Sequence, residues 1–119
     1  MNNRQFGTIG ENIASKHLEE KGYRIITRNF RVSRIGEIDI IGWDGEFLCF
    51  IEVKARTNNH FGTPADAVSP SKQATIRRIA QLFMQQYRYF ENPVRFDVVE
   101  LIMTRNLEAK SIQIMKNAF

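Results

Sequence analysis

The sequence predicts one α/β domain spanning residues 1–119, built on a mixed sheet with helices on its faces. Three observations predict it. Segments of helical and strand periodicity follow one another in the order α-β-β-β-α-β, with a further short strand at the end. An Asp44-Gly45 pair between two apolar runs signals a β-hairpin. The chain of 119 residues, 43% hydrophobic and 25% charged, has the balance of an ordinary globular domain. A domain of that mass buries roughly two-thirds of its unfolded surface, so it needs no staple.

The elements follow in order. Phe6, Ile9, Ile13, Ala14 and Leu18 recur at helical spacing over 5–21, and Gly22 stops the helix. Residues 23–31 read as a strand. Gly36–Gly42 and Glu46–Arg56 read as two more, joined at Asp44-Gly45. Residues 57–68, with Asn58, Asn59, Gly62 and Pro64, read as a loop. Ser69-Pro70 has the form of an N-cap followed by proline at the first helical position. The helix it opens runs to about Tyr89, with Ile76, Ile79, Ala80, Phe83, Tyr87 and Phe90 as its apolar stripe. Val94–Met103 and Ser111–Met115 read as late strands. No repeat, linker or low-complexity tract interrupts this order.

Composition excludes several classes of function. The lone cysteine, Cys49, permits neither an internal disulfide nor a cysteine-based zinc site. The run Phe47 to Ile51 is too short to span a bilayer. The segment Met1 to Gln5 lacks the apolar stretch of a signal peptide, so the expectation is a cytoplasmic protein with no membrane partner. Net charge is +4, which suits a polyanionic partner. Its distribution is uneven: residues 36–52 hold Glu37, Asp39, Asp44, Glu46 and Glu52 and no base. An acidic centre in a basic chain is either a solvated hairpin tip or a cation site within a surface that attracts phosphate.

The hairpin permits a register calculation. With Asp44-Gly45 as the turn, Trp43 pairs with Glu46, Asp39 with Phe50 and Glu37 with Glu52. Glu37, Asp39, Phe50, Glu52 and Lys54 then share one face, while Phe47, Cys49, Ile51, Val53 and Ala55 form a core face on the other. A one-residue bulge would separate Asp39 from Glu52. Two carboxylates ~5 Å apart at an effective dielectric near 20 repel by roughly 3 kcal/mol. Such a pair needs a cation or a raised pKa. Lys54 can supply the charge, leaving a plain ion-pair cluster. A hard divalent cation such as Mg²⁺, which takes oxygen ligands, is the alternative, with Lys54 beside it.

Asp39, twelve intervening residues and then Glu52-Val53-Lys54 resemble the bipartite motif of the PD-(D/E)XK nuclease superfamily. Further segments stand in order: Gly10-Glu11 with Ala14 and Leu18, Gly22-Tyr23, Arg28-Asn29-Phe30-Arg31, Gly36-Glu37-Ile38-Asp39-Ile40-Ile41, Phe50 to Arg56, Phe61-Gly62, Lys72 and Arg95 to Val99. Together they resemble the bacterial YraN family, small proteins similar to archaeal Holliday junction resolvases. Ile38 stands where the motif's proline would be. The resemblance implies a restriction-endonuclease-like sandwich with an αβββαβ core and a mixed central sheet. It implies a DNA endonuclease using Mg²⁺ or Mn²⁺ on branched or structured DNA, and a homodimer. It further implies that Asp39, Glu52 and the Val53 carbonyl bind metal and that Lys54 orients the attacking water and stabilises the developing charge. Glu11 would be the additional helical acid of resolvase-like members, holding a second metal; as a residue at the edge of the apolar stripe it is equally a solvated helix glutamate. A fold does not carry its activity with it. The alternatives are a non-catalytic nucleic-acid-binding protein of DNA repair or recombination, and an interaction module using an apolar sheet edge.

Candidate phosphate contacts are Lys72, Arg77, Arg31 and Arg56. Lys72 opposes the dipole in the first turn of its helix, and a phosphate would compensate it. Arg77, Arg78 and Arg88 fit a solvated helix face equally well. Arg24, Arg28, Arg31 and Arg34, with Tyr23 and Phe30, suit either a nucleic-acid groove or a charge-protected edge strand. His17 and His60 lack metal-ligand partners at useful spacing. Trp43 reads as packing, Asp97 as structural and Cys49 as buried and inert.

Overall fold

A computed structural model describes residues 2–57 and 68–119. Helix α1 spans Asn3–Glu20, strands β1, β2 and β3 span Arg24–Val32, Gly36–Asp44 and Phe47–Arg56, helix α2 spans Pro70–Tyr87, and β4 and β5 span Val94–Met103 and Ala109–Met115. The strands form one five-stranded mixed sheet in the order β1-β2-β3-β4-β5. Its pairs are antiparallel except β3 with β4, which the α2 crossover makes parallel.

Local chemistry explains the helix ends. Asn2 and Gln5 form a reciprocal capping box, which starts α1 two residues before the predicted point. Ser69 Oγ accepts the Lys72 N–H at 3.1 Å, and Pro70 occupies the first turn of α2. Arg88 terminates α2 in a left-handed conformation at φ 60°. The chain turns away there, leaving Phe90 70% exposed rather than in the predicted stripe.

The two helices cover opposite faces. Ile76, Ile79, Ala80 and Phe83 of α2 pack on Ile38, Ile41, Leu48, Phe50 and Val98. Ala14 and Leu18 of α1 pack on Ile40, Cys49, Ile51, Val99, Leu101 and Met103. Gly10 sets the α1 approach: a Cβ there would lie 2.8 Å from Ala55 Cβ. Phe83 sits edge-on to both Phe30 and Phe50 at 5.1 and 5.8 Å between ring centroids.

The hairpin register differs from the calculation. Asp44 pairs with Phe47 and Ile40 with Ile51, so the turn residues are Gly45 and Glu46. Gly45 adopts φ 60° at the first turn position, as a II′-like hairpin requires. Asp44 stays in the strand, where Arg95 and Lys116 bind its Oδ2 at 2.7 and 2.9 Å. The pairing moves by two, so each β3 residue keeps the predicted face. Two irregularities interrupt β1 and β2: the register shifts between Ile25 and Thr27, and Asn29 has φ 53° opposite the point where Ile38 and Ile40, two residues apart, join opposite cores. Asp39 lies at that switch.

Candidate metal centre

Asp39 projects from the point where the β2–β3 ladder ends. The last paired residues are Ile40 and Ile51, and Val53 N–H donates to Asp39 Oδ2 at 2.8 Å. A side chain thus replaces a backbone acceptor, tying β2 to the middle of β3. The switch at Asp39 does not separate it from Glu52, the risk carried by a bulge. Both line one cleft of about 340 Å³, together with Glu11, Val53, Lys54, Ala55, Lys72, Asn3, Phe6 and Gly7.

Glu52 follows Phe50 on the α2 side of the sheet and is 5% exposed. Its Oε2 has no hydrogen-bond partner among the described residues. Lys72 Nζ stands 3.6 Å away, beyond hydrogen-bonding range. Burial first, and then the neighbouring Asp39, push the Glu52 carboxyl up to about 8, against the opposing pull of Lys72 and Lys54.

Glu11 is not a solvated helix glutamate. Gly10 lets α1 close on β3, and the next residue's side chain is 16% exposed. Its Oε1 is buried without a hydrogen bond, 3.6 Å from Arg28 Nη2. Arg28 gives its own hydrogen bond to Asn12 Oδ1 at 2.8 Å. Burial and then Asp39 raise the Glu11 pKa above its ordinary value. Glu11, Glu37 and Asp39 each offer a carboxylate oxygen within 4.8 Å of the others. Asp39 therefore groups with Glu11 and Glu37 and shares its cleft with Glu11 and Glu52. These oxygen donors, with the Val53 carbonyl at the same cleft, could hold a hard divalent cation.

The basic candidates divide. Lys72 lines the cleft. Arg31 lines an adjoining cavity of about 540 Å³, with its Nη1 3.8 Å from Glu37. Arg56 is engaged elsewhere, its Nη2 donating to both Glu100 carboxylate oxygens at 2.7 and 2.6 Å. Arg77 lies over the Phe96 ring at 4.6 Å, outside both cavities. His60 and Phe61-Gly62 lie outside the described residues. Sequence reasoning took Lys54 as the neighbour of Glu52 and missed Lys72 in that role. The signal was present in Ser69-Pro70, which fixes Lys72 in the first turn of the helix leaving the β3 end of the sheet.

At the hairpin end of the sheet a second polar group is buried. Asp97 accepts from Tyr23 Oη at 2.9 Å and from Arg95 Nε at 2.9 Å, and Arg95 reaches Asp44. Burial, reinforced by Asp97, holds the Tyr23 hydroxyl protonated. Burial also pushes the Cys49 thiol up to about 12, so it is inert at neutral pH. Every polar group here has a partner within the fold, in contrast to the open carboxylates of the cleft.

The profile of the uncharacterised protein family UPF0102 matches residues 10–101. The chain belongs to this family. The UPF0102 match takes in Glu11, Glu37, Asp39, Glu52, Val53, Lys54 and Lys72. A UPF0102 protein of Acetivibrio thermocellus is 46% identical over 121 residues, covering 99% of this chain and 93% of its own. UPF0102 proteins of Clostridium kluyveri and Dictyoglomus thermophilum are 41% and 38% identical, over 98% and 100% of this chain and 95% and 100% of theirs. No helix among the described residues is long and apolar enough to cross a membrane.

Proposed function

We propose that this protein is a divalent-metal-dependent DNA endonuclease with a restriction-endonuclease-like fold, acting on branched or structured DNA. The observation that carries the reading is the convergence of Asp39, Glu52, Val53 and Lys54 on one cleft, with a buried Glu52 oxygen that accepts no hydrogen bond from the described residues and has Lys72 only at 3.6 Å. A purely structural carboxylate at that depth would be paired, as Asp97 and Glu100 are.

Asp39, Glu52 and the Val53 carbonyl would hold Mg²⁺ or Mn²⁺, with Glu11 and Glu37 adding oxygens near Asp39. When bound, the cation supplies neutralisation of phosphate charge and acidifies water for attack. Asp39 Oδ2 is fixed by the Val53 N–H, which orients its other oxygen. Lys54 orients the attacking water and meets the negative charge that develops as the phosphorus–oxygen bond breaks. With a cation on the Glu52 carboxylate, Lys72, now 3.6 Å from it, would be free to meet a substrate phosphate.

The test incubates a four-way DNA junction and a linear duplex of the same sequence with Mn²⁺. The expected result is cleavage by wild type, lowered by a factor of about 10³ or more in Asp39→Ala and Lys54→Ala. Salt-sensitive binding without metal-dependent cleavage would overturn the enzyme reading in favour of a non-catalytic nucleic-acid-binding protein. Absence of both would leave an interaction module.

A further inference from the structure

Helix α1 holds two glycines in successive turns, and the structure accounts for only one. Gly10 is required by packing, since its Cβ would meet Ala55. At Gly7 an added Cβ would find no atom of the described residues within 4 Å. Packing thus gives no reason for a residue that weakens a helix interior. Gly7 does have a distinctive place. It lies in the wall of the carboxylate cleft and also in the wall of the adjoining cavity. Asn3 and Glu11, one turn to either side, line both as well. The adjoining cavity is polar, with Arg4, Thr8, Asn29, Arg31 and the acidic Glu37 around it. The Arg31 side chain is 67% exposed and only loosely opposed by Glu37.

We infer that Gly7 is the crossing point of the substrate strand, where a phosphodiester backbone passes against α1 from the carboxylate cleft into the cavity of Arg4 and Arg31. The inference rests on the endonuclease reading above and names the path of the nucleic acid beside the cleaved bond. A glycine leaves the helix backbone bare, and a strand can approach it more closely than any side chain would permit. Arg31 and Arg4 then meet the flanking phosphate, while Asn3, Thr8 and Asn29 offer neutral hydrogen-bonding groups to sugar or base. Gly7 is a positioning residue in this account, acting by the space it leaves.

The test uses Gly7→Ala and Gly7→Leu. Anisotropy of a fluorescein-labelled four-way junction is measured in Ca²⁺, alongside thermal unfolding and Mn²⁺ titration. Gly7→Ala is expected to raise the unfolding midpoint by roughly 2–5 °C, because alanine favours helix and the space is open. The same substitution is expected to weaken junction binding, and Gly7→Leu to weaken it about tenfold or more. Mn²⁺ affinity should match wild type in Gly7→Ala, whose single methyl group adds no charge or ligand to the cleft. This opposition of sign separates a ligand path from a structural role. Variants that bind the junction as tightly as wild type would overturn the crossing point while leaving the endonuclease reading intact. A wild-type protein that fails to retain the junction would overturn both.

Discussion

Glu52 has an unusual electrostatic position, and its consequences can be measured. Its carboxyl titrates near 8 in the folded chain, well above its ordinary value of 4.5. A group with a raised folded pKa favours the native state below its unfolded pKa and loses that contribution as pH rises through the folded one. In metal-free buffer the unfolding midpoint should therefore fall between about pH 5 and pH 8.5. Glu52→Gln, which keeps the shape without the charge, should flatten that slope and be the more stable protein at pH 8.5. Differential scanning calorimetry across the range checks this; parallel curves for the two proteins would contradict it. Divalent-cation binding must displace the same proton, so Mn²⁺ affinity should rise from pH 6 to 8 in wild type. Calorimetric titration in two buffers of different ionisation enthalpy reads both the affinity and the proton released.

At the scale of elements, the close approach of α1 to β3 brings Glu11 to the cleft. Gly10→Ala forces a Cβ to 2.8 Å from that of Ala55. It should cost about 1–3 kcal/mol of stability and weaken Mn²⁺ binding, checked by urea unfolding and titration. Gly7→Ala, three residues earlier, should have the opposite effect on stability. On the other face, Phe83→Ala removes the hub of the aromatic cluster and should cost about 3–5 kcal/mol. The order of elements was legible because β3 is a bounded apolar run of strand length, buried on both faces, and core positions recur at helical spacing along α1 and α2. The hairpin turn was not, since Asp-Gly and Gly-Glu are both sound turn pairs locally. Arg95 and Lys116, distant in sequence, decided between them by holding Asp44 in the strand. The slip was two residues, so the faces of β3 survived and Asp39 and Glu52 remained in one cleft. The switch at Asn29 and Asp39 left no periodic trace, because strand alternation is unbroken in the sequence itself. The grouping of Glu37 with Glu11 depends on that switch. Phe90 carried the right spacing for the α2 stripe, but Arg88 ends the helix before it.

At the scale of the whole molecule, two polar clusters among the described residues lie toward opposite ends of the sheet. At the hairpin end, Asp97, Arg95, Tyr23 and Asp44 satisfy one another and link β1, β2 and β4. Asp97→Ala leaves the Tyr23 hydroxyl without its acceptor and Arg95 with Asp44 alone, and should cost about 1–3 kcal/mol, measured by urea unfolding. The folded fraction of that variant should still bind Mn²⁺, because no cleft residue is touched. At the other end, Glu11, Asp39 and Glu52 leave oxygens unsatisfied or in mutual repulsion within a chain of net charge +4. That contrast is the physical core of the functional reading: one cluster is closed and the other is open to a cation. It is tested most directly by anomalous diffraction from a crystal soaked in Mn²⁺. A manganese peak is expected at bonding distance from the carboxylates of Asp39 and Glu52 and the carbonyl of Val53. A soaked crystal with that position empty, or with manganese bound only at other carboxylates, would contradict it.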